Sequence, residues 1–342
     1  MTTQLDFSVG IGKESVYGTA VVPTRFVESE AKLKYDLKTM QSKGLRPGKN
    51  VNRLNRNVVT RYEGSGDIEC DVTTRGFGFL LNAVMGSVVN TVVPASTPSV
   101  YQQNHVLSTT DPVQTFTVQE VLPTLGGVNA YAHTFLGVAF DSVELSAKEG
   151  GTLESKFSVT AREMRTDVAA TATSYPADDS LFTFVSGAII LGGTLTEPTT
   201  TAVASMTGTA AANVEEFSLS IKRNLDSKGW NLGGAGLRSR APLLGAPELS
   251  GKLSAEYTDN TLRDAYLAQS PLGVLLTFLG PVISGAHRAT LQIVLPSIRL
   301  KGEVPTSDGG NAIRQSIDFE AFDNGAATQP IWVIYRTLDT TP

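Results

Sequence analysis

Residues 28–37 read Glu-Ser-Glu-Ala-Lys-Leu-Lys-Tyr-Asp-Leu, and this stretch decides the fold because the chain returns to it much later. Apolar and polar side chains alternate in it, which is typical of a β-strand with one buried face. Residues 216–222, Glu-Phe-Ser-Leu-Ser-Ile-Lys, alternate in the same way. Ala31 and Phe217 hold the same place in the two patterns, 186 positions apart. The sequence therefore predicts two copies of one strand.

A second strand follows each copy after a polar, glycine-rich excursion of similar length. Gly66 opens one of these strands and Gly251 opens the other, 185 positions further on. Each strand runs into a short helix-like segment, at 74–85 and at 260–268. A strand pair then follows in both halves, and we match four apolar positions: Val143, Leu145, Phe157 and Val159 with Ile298, Leu300, Ile317 and Phe319. Since separate strands give nearly the same offset, we predict a tandem duplication.

The duplication divides the 342 residues into five segments. We expect an N-terminal leader or arm at 1–27 and a first domain at 28–165. A linker with a short hairpin would occupy 166–213, because this segment is rich in Ala, Thr, Ser and Pro. The second domain would span 214–326, and a closing strand with a polar tail would fill 327–342. The predicted fold class is mainly β (α+β), with one short helix flanking each domain.

Composition narrows the function classes. The chain is 41% hydrophobic and 18% charged, and its net charge of −5 gives no overall basic signature for nucleic acid. Its single cysteine, Cys70, excludes an internal disulfide and cysteine-rich zinc motifs, and we expect a buried, unreactive thiol. The N-terminal residues have no signal-peptide features and no apolar run could span a bilayer, so we expect production as a soluble cytoplasmic protein.

No residue pattern indicates catalysis. The three histidines, His105, His133 and His287, are scattered, which argues against a metal site. Neither a nucleophile elbow nor a P-loop occurs. Residues 233–236 are glycine-dense, but no strand precedes them in a βαβ context, so we interpret them as a loop. We predict that the protein is not an enzyme and needs no cofactor. An enzyme or carbohydrate-binding module would need a convergent polar pocket.

Basic side chains are concentrated in the first excursion, residues 43–61, which contains no acidic residue: Lys43, Arg46, Lys49, Arg53, Arg56 and Arg61. The second excursion repeats this more weakly, with Asp226 among its basic residues: Arg223, Lys228, Arg238 and Arg240. Such arms could dock on an acidic protein surface, bind phosphate, or be solvated loops. We favour a protein partner over nucleic acid because 43–61 contains no aromatic residue on which bases could stack.

Motifs along nearly the whole chain resemble those of the tail tube (major tail) proteins of long-tailed bacteriophages, in their double-domain form. The first half contributes these: Gly12-Lys-Glu14, Tyr17-Gly-Thr-Ala20, Pro23-Thr-Arg-Phe26, Gly64-Ser-Gly-Asp67, Arg75-Gly-Phe-Gly-Phe-Leu-Leu81 and Val143-Glu-Leu-Ser-Ala-Lys-Glu-Gly-Gly-Thr-Leu153. The second half contributes three more: Ser218-Leu-Ser-Ile-Lys222, Gly251-Lys-Leu-Ser-Ala-Glu256 and Asp264-Ala-Tyr-Leu267. The order and spacing of these motifs carry the resemblance.

The resemblance implies tandem β-sandwich or half-barrel domains with extended loops, whose sheet edges join into rings that stack as a conduit for viral DNA. The arms would reach the next ring. Three chains could close a pseudo-six-fold ring. The alternative is a ring of six chains in which the second domain lies on the outside. Implied partners are further copies, the tape measure, distal tail and tail terminator proteins, and passing DNA, but no membrane. The implied location is the virion tail, assembled in the host cytoplasm. A distal-tail or baseplate ring protein of related fold is the alternative, and it would stop at one ring.

The lining of such a channel can be predicted from charge. A basic wall would hold the phosphates of DNA, whereas a neutral or acidic wall lets DNA slide. We therefore expect Asp, Glu, Ser and Thr to outnumber Lys and Arg on the channel-facing strands. Candidates lie on the polar faces of the alternating strands: Asp67, Glu69, Asp71, Ser218 and Ser220.

Overall fold

The computed structural model describes residues 7–44, 46–124, 130–208, 211, 213–302, 304–306, 309 and 313–342. Over these residues the protein is mainly β, with two α-helices, α1 (Phe77–Met85) and α2 (Thr261–Ala268). The strands of the first half are β1 (Ser8–Lys13), β2 (Arg25–Val27), β3 (Ser29–Gln41), β4 (Asn57–Asp71), β5 (Gly86–Val92), β6 (Tyr101–Leu107), β7 (Phe116–Pro123), β8 (Ala130–Lys148), β9 (Leu153–Ala161) and β10 (Glu163–Arg165). Those of the second half are β11 (Gly187–Leu191), β12 (Leu195–Thr196), β13 (Ser205–Met206), β14 (Val214–Lys222), β15 (Glu248–Glu256), β16 (Leu272–Ser284), β17 (His287–Lys301), β18 (Arg314–Ala321) and β19 (Trp332–Thr337).

Eight antiparallel strands form one continuous sheet through both halves, in the order β3–β4–β9–β8–β14–β15–β18–β17. We call it the eight-strand sheet. Its first four strands and its last four have the same order, which is the order that the repeat predicts. The two halves join where β8 pairs with β14, from Ser142 opposite Lys222 to Lys148 opposite Glu216. The two halves are therefore joined edge to edge within one chain.

The residue match predicted for the last strand pair of each half, β8–β9 against β17–β18, was wrong in register. Val143 pairs with Phe157, so the repeat would place Ile298 opposite Ile317. Ile298 instead pairs with Ala321, four residues further along β18. The cause is that β8 has a bulge after Phe140 and continues to a tight turn, whereas β17 ends at Lys301, well before β18 begins.

A second layer covers the apolar face of the eight-strand sheet. Its strands run β2–β1–β7–β8–β10 in the first half and β11–β16–β17–β19–β6–β5 in the second. The long strands β8 and β17 belong to both layers. The leader thus supplies β1, and the segment predicted to be a linker supplies β11. The β5–β6 hairpin comes from the first half but pairs with β19 in the second. The predicted domain bounds stay a prediction.

The two helices differ in burial. Helix α1 is buried on nearly all sides, although only one apolar stripe was expected, because it lies between the layers. Gly76 and Gly86 bound it with φ of 77° and 81°, a conformation that favours glycine. Helix α2 is only half-buried, and Asp259 accepts a hydrogen bond from the backbone N–H of Thr261 at 2.8 Å at its start. Aromatic rings such as Phe77 and Phe157 fill the core beside α1.

Cys70 is buried on the apolar face of β4, beside the hydroxyl of Ser155. Burial raises the pKa of its thiol to about 11. Because only the thiolate attacks disulfide reagents, we expect labelling at pH 8 to be at least about 100-fold slower in the folded than in the unfolded protein. Following the release of the reagent's chromophore with and without denaturant checks this. Equal rates would mean that the strand opens readily.

Candidate assembly surfaces

One face of the eight-strand sheet is polar, and we call it the polar face. Directly opposite residues of antiparallel strands share a face, so the register places Asp67 beside Ser158, and Ser158 beside Ser142. The same logic continues across the junction to β14. The five predicted channel residues therefore lie on one face: Asp67, Glu69, Asp71, Ser218 and Ser220.

Carboxylates outnumber basic groups on the polar face. Its acidic residues are Glu30, Asp36, Glu63, Asp67, Glu69, Asp71, Glu144, Glu154, Glu216, Glu248, Glu256, Asp318 and Glu320, and its basic residues are Lys32, Lys34, Lys38, Arg61, Lys148, Lys156, Lys222, Lys252, Arg299, Lys301 and Arg314. Lys156 bridges Asp67 and Glu69 at 3.3 and 2.8 Å. A hydrogen bond from Ser158, with Lys156 nearby, lowers the pKa of Asp67. The surface is thus mixed in charge with an acidic excess.

The outer edge of β3 lacks a strand partner among the described residues, since β3 pairs only with β4. The backbone N–H of Leu33 points to that edge and donates a hydrogen bond to Oε1 of Glu120 at 3.3 Å. Ala31, Leu33 and Tyr35 are half-buried against the core there. Apart from this one bond to Glu120, an edge without a strand partner is a template for pairing with another chain.

Glu120 is a buried carboxyl in β7, 4% exposed, with Val9 and His133 opposite it on the neighbouring strands. Burial raises its pKa to about 7, although the N–H of Leu33 acts in the opposite direction. The folded state therefore favours the protonated form. The resulting stability is full below the unfolded pKa near 4.5 and falls as pH rises to about 7.

Replacing Glu120 with glutamine should remove this pH dependence, because the amide oxygen still accepts from Leu33 but cannot ionise. We expect the variant to be more stable than the wild type by about 2–3 kcal/mol at pH 8 and similar to it at pH 4.5. Urea unfolding at both pH values measures the difference. If the stability difference between the variant and the wild type is the same at both pH values, Glu120 ionises in the folded protein without a penalty, and its raised pKa is wrong.

The first arm, residues 43–61, caps the β3–β4 hairpin, whose pairing extends to Gln41 opposite Asn57. Its tip is solvent-exposed, including the apolar side chains of Val51 (75%) and Leu54 (90%). Four of the predicted basic residues are exposed and Arg53 is half-buried: Lys43, Arg46, Lys49, Arg53 and Arg56. None of these five forms an ion pair with any residue that the structure describes. Their charges are therefore available to another molecule.

The second arm, residues 226–247, packs against the base of the first. The guanidinium groups of Arg61 and Arg238 both contact the ring of Trp230, at 4.9 and 4.4 Å from its centre. The N–H of Tyr62 donates to the carbonyl of Gly236 at 2.8 Å. Arg238 is only 4% exposed, which distinguishes it from the tip residues of the first arm.

Two of the basic residues predicted for contacts between rings, Arg240 and Arg61, lie beside carboxylates of their own chain. Arg240 binds Asp226 at 2.6 Å, and Arg61 lies 3.5 Å from Glu63. The sequence reasoning missed this packing because it treated the arms as separate. A tryptophan inside a basic, glycine-rich excursion was the available signal, since guanidinium groups bind aromatic faces.

The end of the eight-strand sheet opposite the arms carries carboxylates, and we call it the distal end. The strand ends and turns there contain Asp71, Glu149, Glu154, Glu215, Glu216, Glu256 and Asp259. Two basic residues partly offset them: Lys148 lies 3.9 Å from Glu216 and Arg314 lies 3.0 Å from Glu215. The molecule therefore has a basic end and an acidic end.

Nothing in the described residues resembles a catalytic or metal centre. No group of three or more His, Cys, Asp or Glu there could hold an ion. Burial lowers the pKa of His105 to about 3, so this histidine is neutral. Of the helices described, neither has the length and apolar character needed to cross a bilayer.

The described part of the chain is mainly β and combines an unpaired sheet edge with oppositely charged ends. The sequence profile of one family, described as phage tail tube protein, matches residues 6–321. The chain therefore belongs to the phage tail tube protein family and is a structural subunit of the virion tail. A comparison with curated proteins found no match.

Proposed function

We propose that the chain assembles edge to edge into rings, and that the rings stack into a tube through which DNA passes. The junction between β8 and β14 carries the proposal. In the repeat, β3 occupies the place of β14, and its outer edge has no strand among the described residues. A second chain would supply the missing neighbour in the way that β8 does within the chain.

The complementary edge would be the end of β17. Beyond Ile298, residues 299–301 pair with β18 on one side and with no described strand on the other. Joining this end to β3 would continue the eight-strand sheet and cover the half-buried side chains of Ala31, Leu33 and Tyr35. Because each chain would contribute two in-line units, three chains would close a pseudo-six-fold ring. The in-line junction favours this arrangement over six chains with the second half outside.

The polar face would then line the channel, because the opposite face is covered by the second layer and the helices. Its acidic excess fits DNA that slides without being held. The exposed tip of the first arm would dock on the distal end of the next ring, where basic groups meet carboxylates. We also propose contacts with tape measure, distal tail and tail terminator proteins, and assembly in the host cytoplasm.

Electron microscopy of the purified protein tests the proposal. Hollow filaments with a regular axial repeat are expected, and the mass of one ring, measured after dissociation, should equal three chains. Single rings that never stack would support the alternative of a distal-tail or baseplate ring protein. Protein that remains monomeric at every concentration and salt condition would count against assembly altogether.

A further inference from the structure

A polar cleft of about 360 Å³ opens where the leader, the segment after β6 and the start of the second arm meet. Its lining includes Ser15, Ser108, Thr110, Gln114 and Arg223. Arg223 directly follows β14, so the cleft lies at the basic end of the molecule. None of the assembly contacts proposed above involves it.

Arg223 is 3% exposed, yet its guanidinium forms no hydrogen bond or ion pair with the residues that the structure describes. Only its backbone is engaged, through an N–H that donates to the carbonyl of Asp141 at 2.8 Å. Burial lowers the pKa of Arg223, while Asp141 and Asp111 act in the opposite direction. A guanidinium has five N–H donors and stays charged, and the nitrogens of Arg223 are not fully enclosed by protein atoms, so its donors face the cleft.

The nearby carboxylates are directed elsewhere. An oxygen of Asp141 accepts from the N–H of Leu225 at 2.8 Å, and an oxygen of Asp111 accepts from the N–H of Leu244 at 2.7 Å. Both groups attract the guanidinium through space without binding it. They make the positive charge tolerable but leave its donors unused.

Glu14 also lines the cleft, but its two oxygens already have donors. They accept from the backbone N–H groups of Gly18 and Gly137 and from the hydroxyls of Thr115 and Thr117, at 2.8–3.1 Å. Its negative charge opposes anion binding, so a singly charged oxyanion is favoured over a doubly charged one.

The carboxyl end of α1 does not satisfy Arg223 either. A Cβ at Gly86 would lie 3.3 Å from Nη2 of Arg223, so the guanidinium is beside that helix end. The carbonyls there accept from other groups: that of Asn82 from the N–H of Gly86, and that of Met85 from the N–H of Ser108. The helix dipole adds a favourable field but no hydrogen bond.

We propose that this cleft binds a small oxyanion of the carboxylate or phosphate class, held by the guanidinium of Arg223. The planar fork of a guanidinium matches two oxygens of such a group. The hydroxyls of Ser108 and Thr110 lie in the same lining and supply further donors. The inference does not depend on tube formation, because it concerns the unassembled chain.

Thermal unfolding of the dilute, unassembled protein tests the site, with acetate and inorganic phosphate as separate probes against chloride at equal ionic strength. A probe at ten times its dissociation constant should raise the midpoint by about 2 °C, and the rise should continue with the logarithm of the probe concentration. Arg223→Met should abolish the rise. Lys222→Gln, which removes the adjacent exposed charge, should retain it. Acetate alone raising the midpoint assigns a carboxylate site, and phosphate alone assigns a phosphate site.

Two outcomes overturn the proposal: neither probe exceeds chloride in the wild type, or Arg223→Met retains the full rise. If Arg223→Met does not fold, the side-chain Nε–H resonance of Arg223 in the wild-type protein replaces it. The active probe should shift this resonance progressively to a limiting value as the site fills. An unmoved resonance would show that the cleft holds water only.

Discussion

Replacing Arg46, Arg53 and Arg56 together with glutamate is expected to abolish tube growth and leave the monomer folded. These side chains lie at the tip of the first arm and have no ion-pair partner among the described residues, so the fold does not depend on them. An exposed ion pair contributes only about 0.2–1 kcal/mol. A ring interface would repeat the contact around its circumference, and the losses multiply in the assembly rate. Light scattering should show a fall of at least about 100-fold, while circular dichroism stays unchanged.

A matched control is the triple change Lys13→Glu, Lys252→Glu and Arg288→Glu, which alters net charge equally on exposed basic residues outside the arms. This variant should still grow tubes. The charge of both ends is reversed when the arm variant also carries Glu149→Lys, Glu154→Lys and Glu256→Lys. This combination should restore tube growth. Salt should weaken wild-type growth, because exposed pairs are screened over about 8–10 Å at physiological ionic strength. Normal tube growth of the arm variant would show that the first arm is not needed for the stacking of rings.

Ala31→Pro is expected to prevent ring formation. The N–H of Leu33 points to the outer edge of β3, so the N–H of Ala31, two residues earlier, points the same way. Proline is tolerated in an edge strand when its nitrogen faces outward, and it removes one donor and blocks the approach of a neighbouring strand. The pairing of β3 with β4 remains. Size-exclusion chromatography should show folded monomer at concentrations where the wild type assembles.

Ala31→Val keeps the outward N–H and serves as the control, with assembly expected to be normal. Lys32→Pro should behave differently from both, because its N–H faces β4 and its loss breaks the hairpin itself. Tubes formed by Ala31→Pro would show that β3 is not an assembly edge. The arm variant and the edge variant should also differ from each other: the former should still form single rings.

The alternation of apolar and polar residues correctly predicted which face of a strand each side chain occupies. It did not predict which residues pair across neighbouring strands. The side chains of Asp67 and Ser218 share a face because parity along each strand fixes it, and parity can be read from the sequence. The error at Ile298 was a shift of four residues, which leaves every side chain on the same face. The apolar pattern is the same in both registers, so it could not reveal the shift. Only the bulge and the early end of β17 determine the pairing.

Contacts between distant segments could not be predicted from local patterns. Trp230 contacts both Arg61 and Arg238, but no periodicity connects Arg61 with residues so far from it in the chain. The acidic distal end was missed for the same reason, since its carboxylates come from several strand ends and turns. Burial of Glu120 was hidden because a carboxylate in a strand usually signals the solvent face. The exposed tip of the first arm was predictable, because it depends on composition alone.

The β5–β6 hairpin ties the two halves of the chain together. It leaves the first half and becomes the strand neighbour of β19, at the end of the second. The second half alone would lack that neighbour, and the first half alone would leave the hairpin without its partner strand. We therefore expect the two halves to fold together and not as independent units.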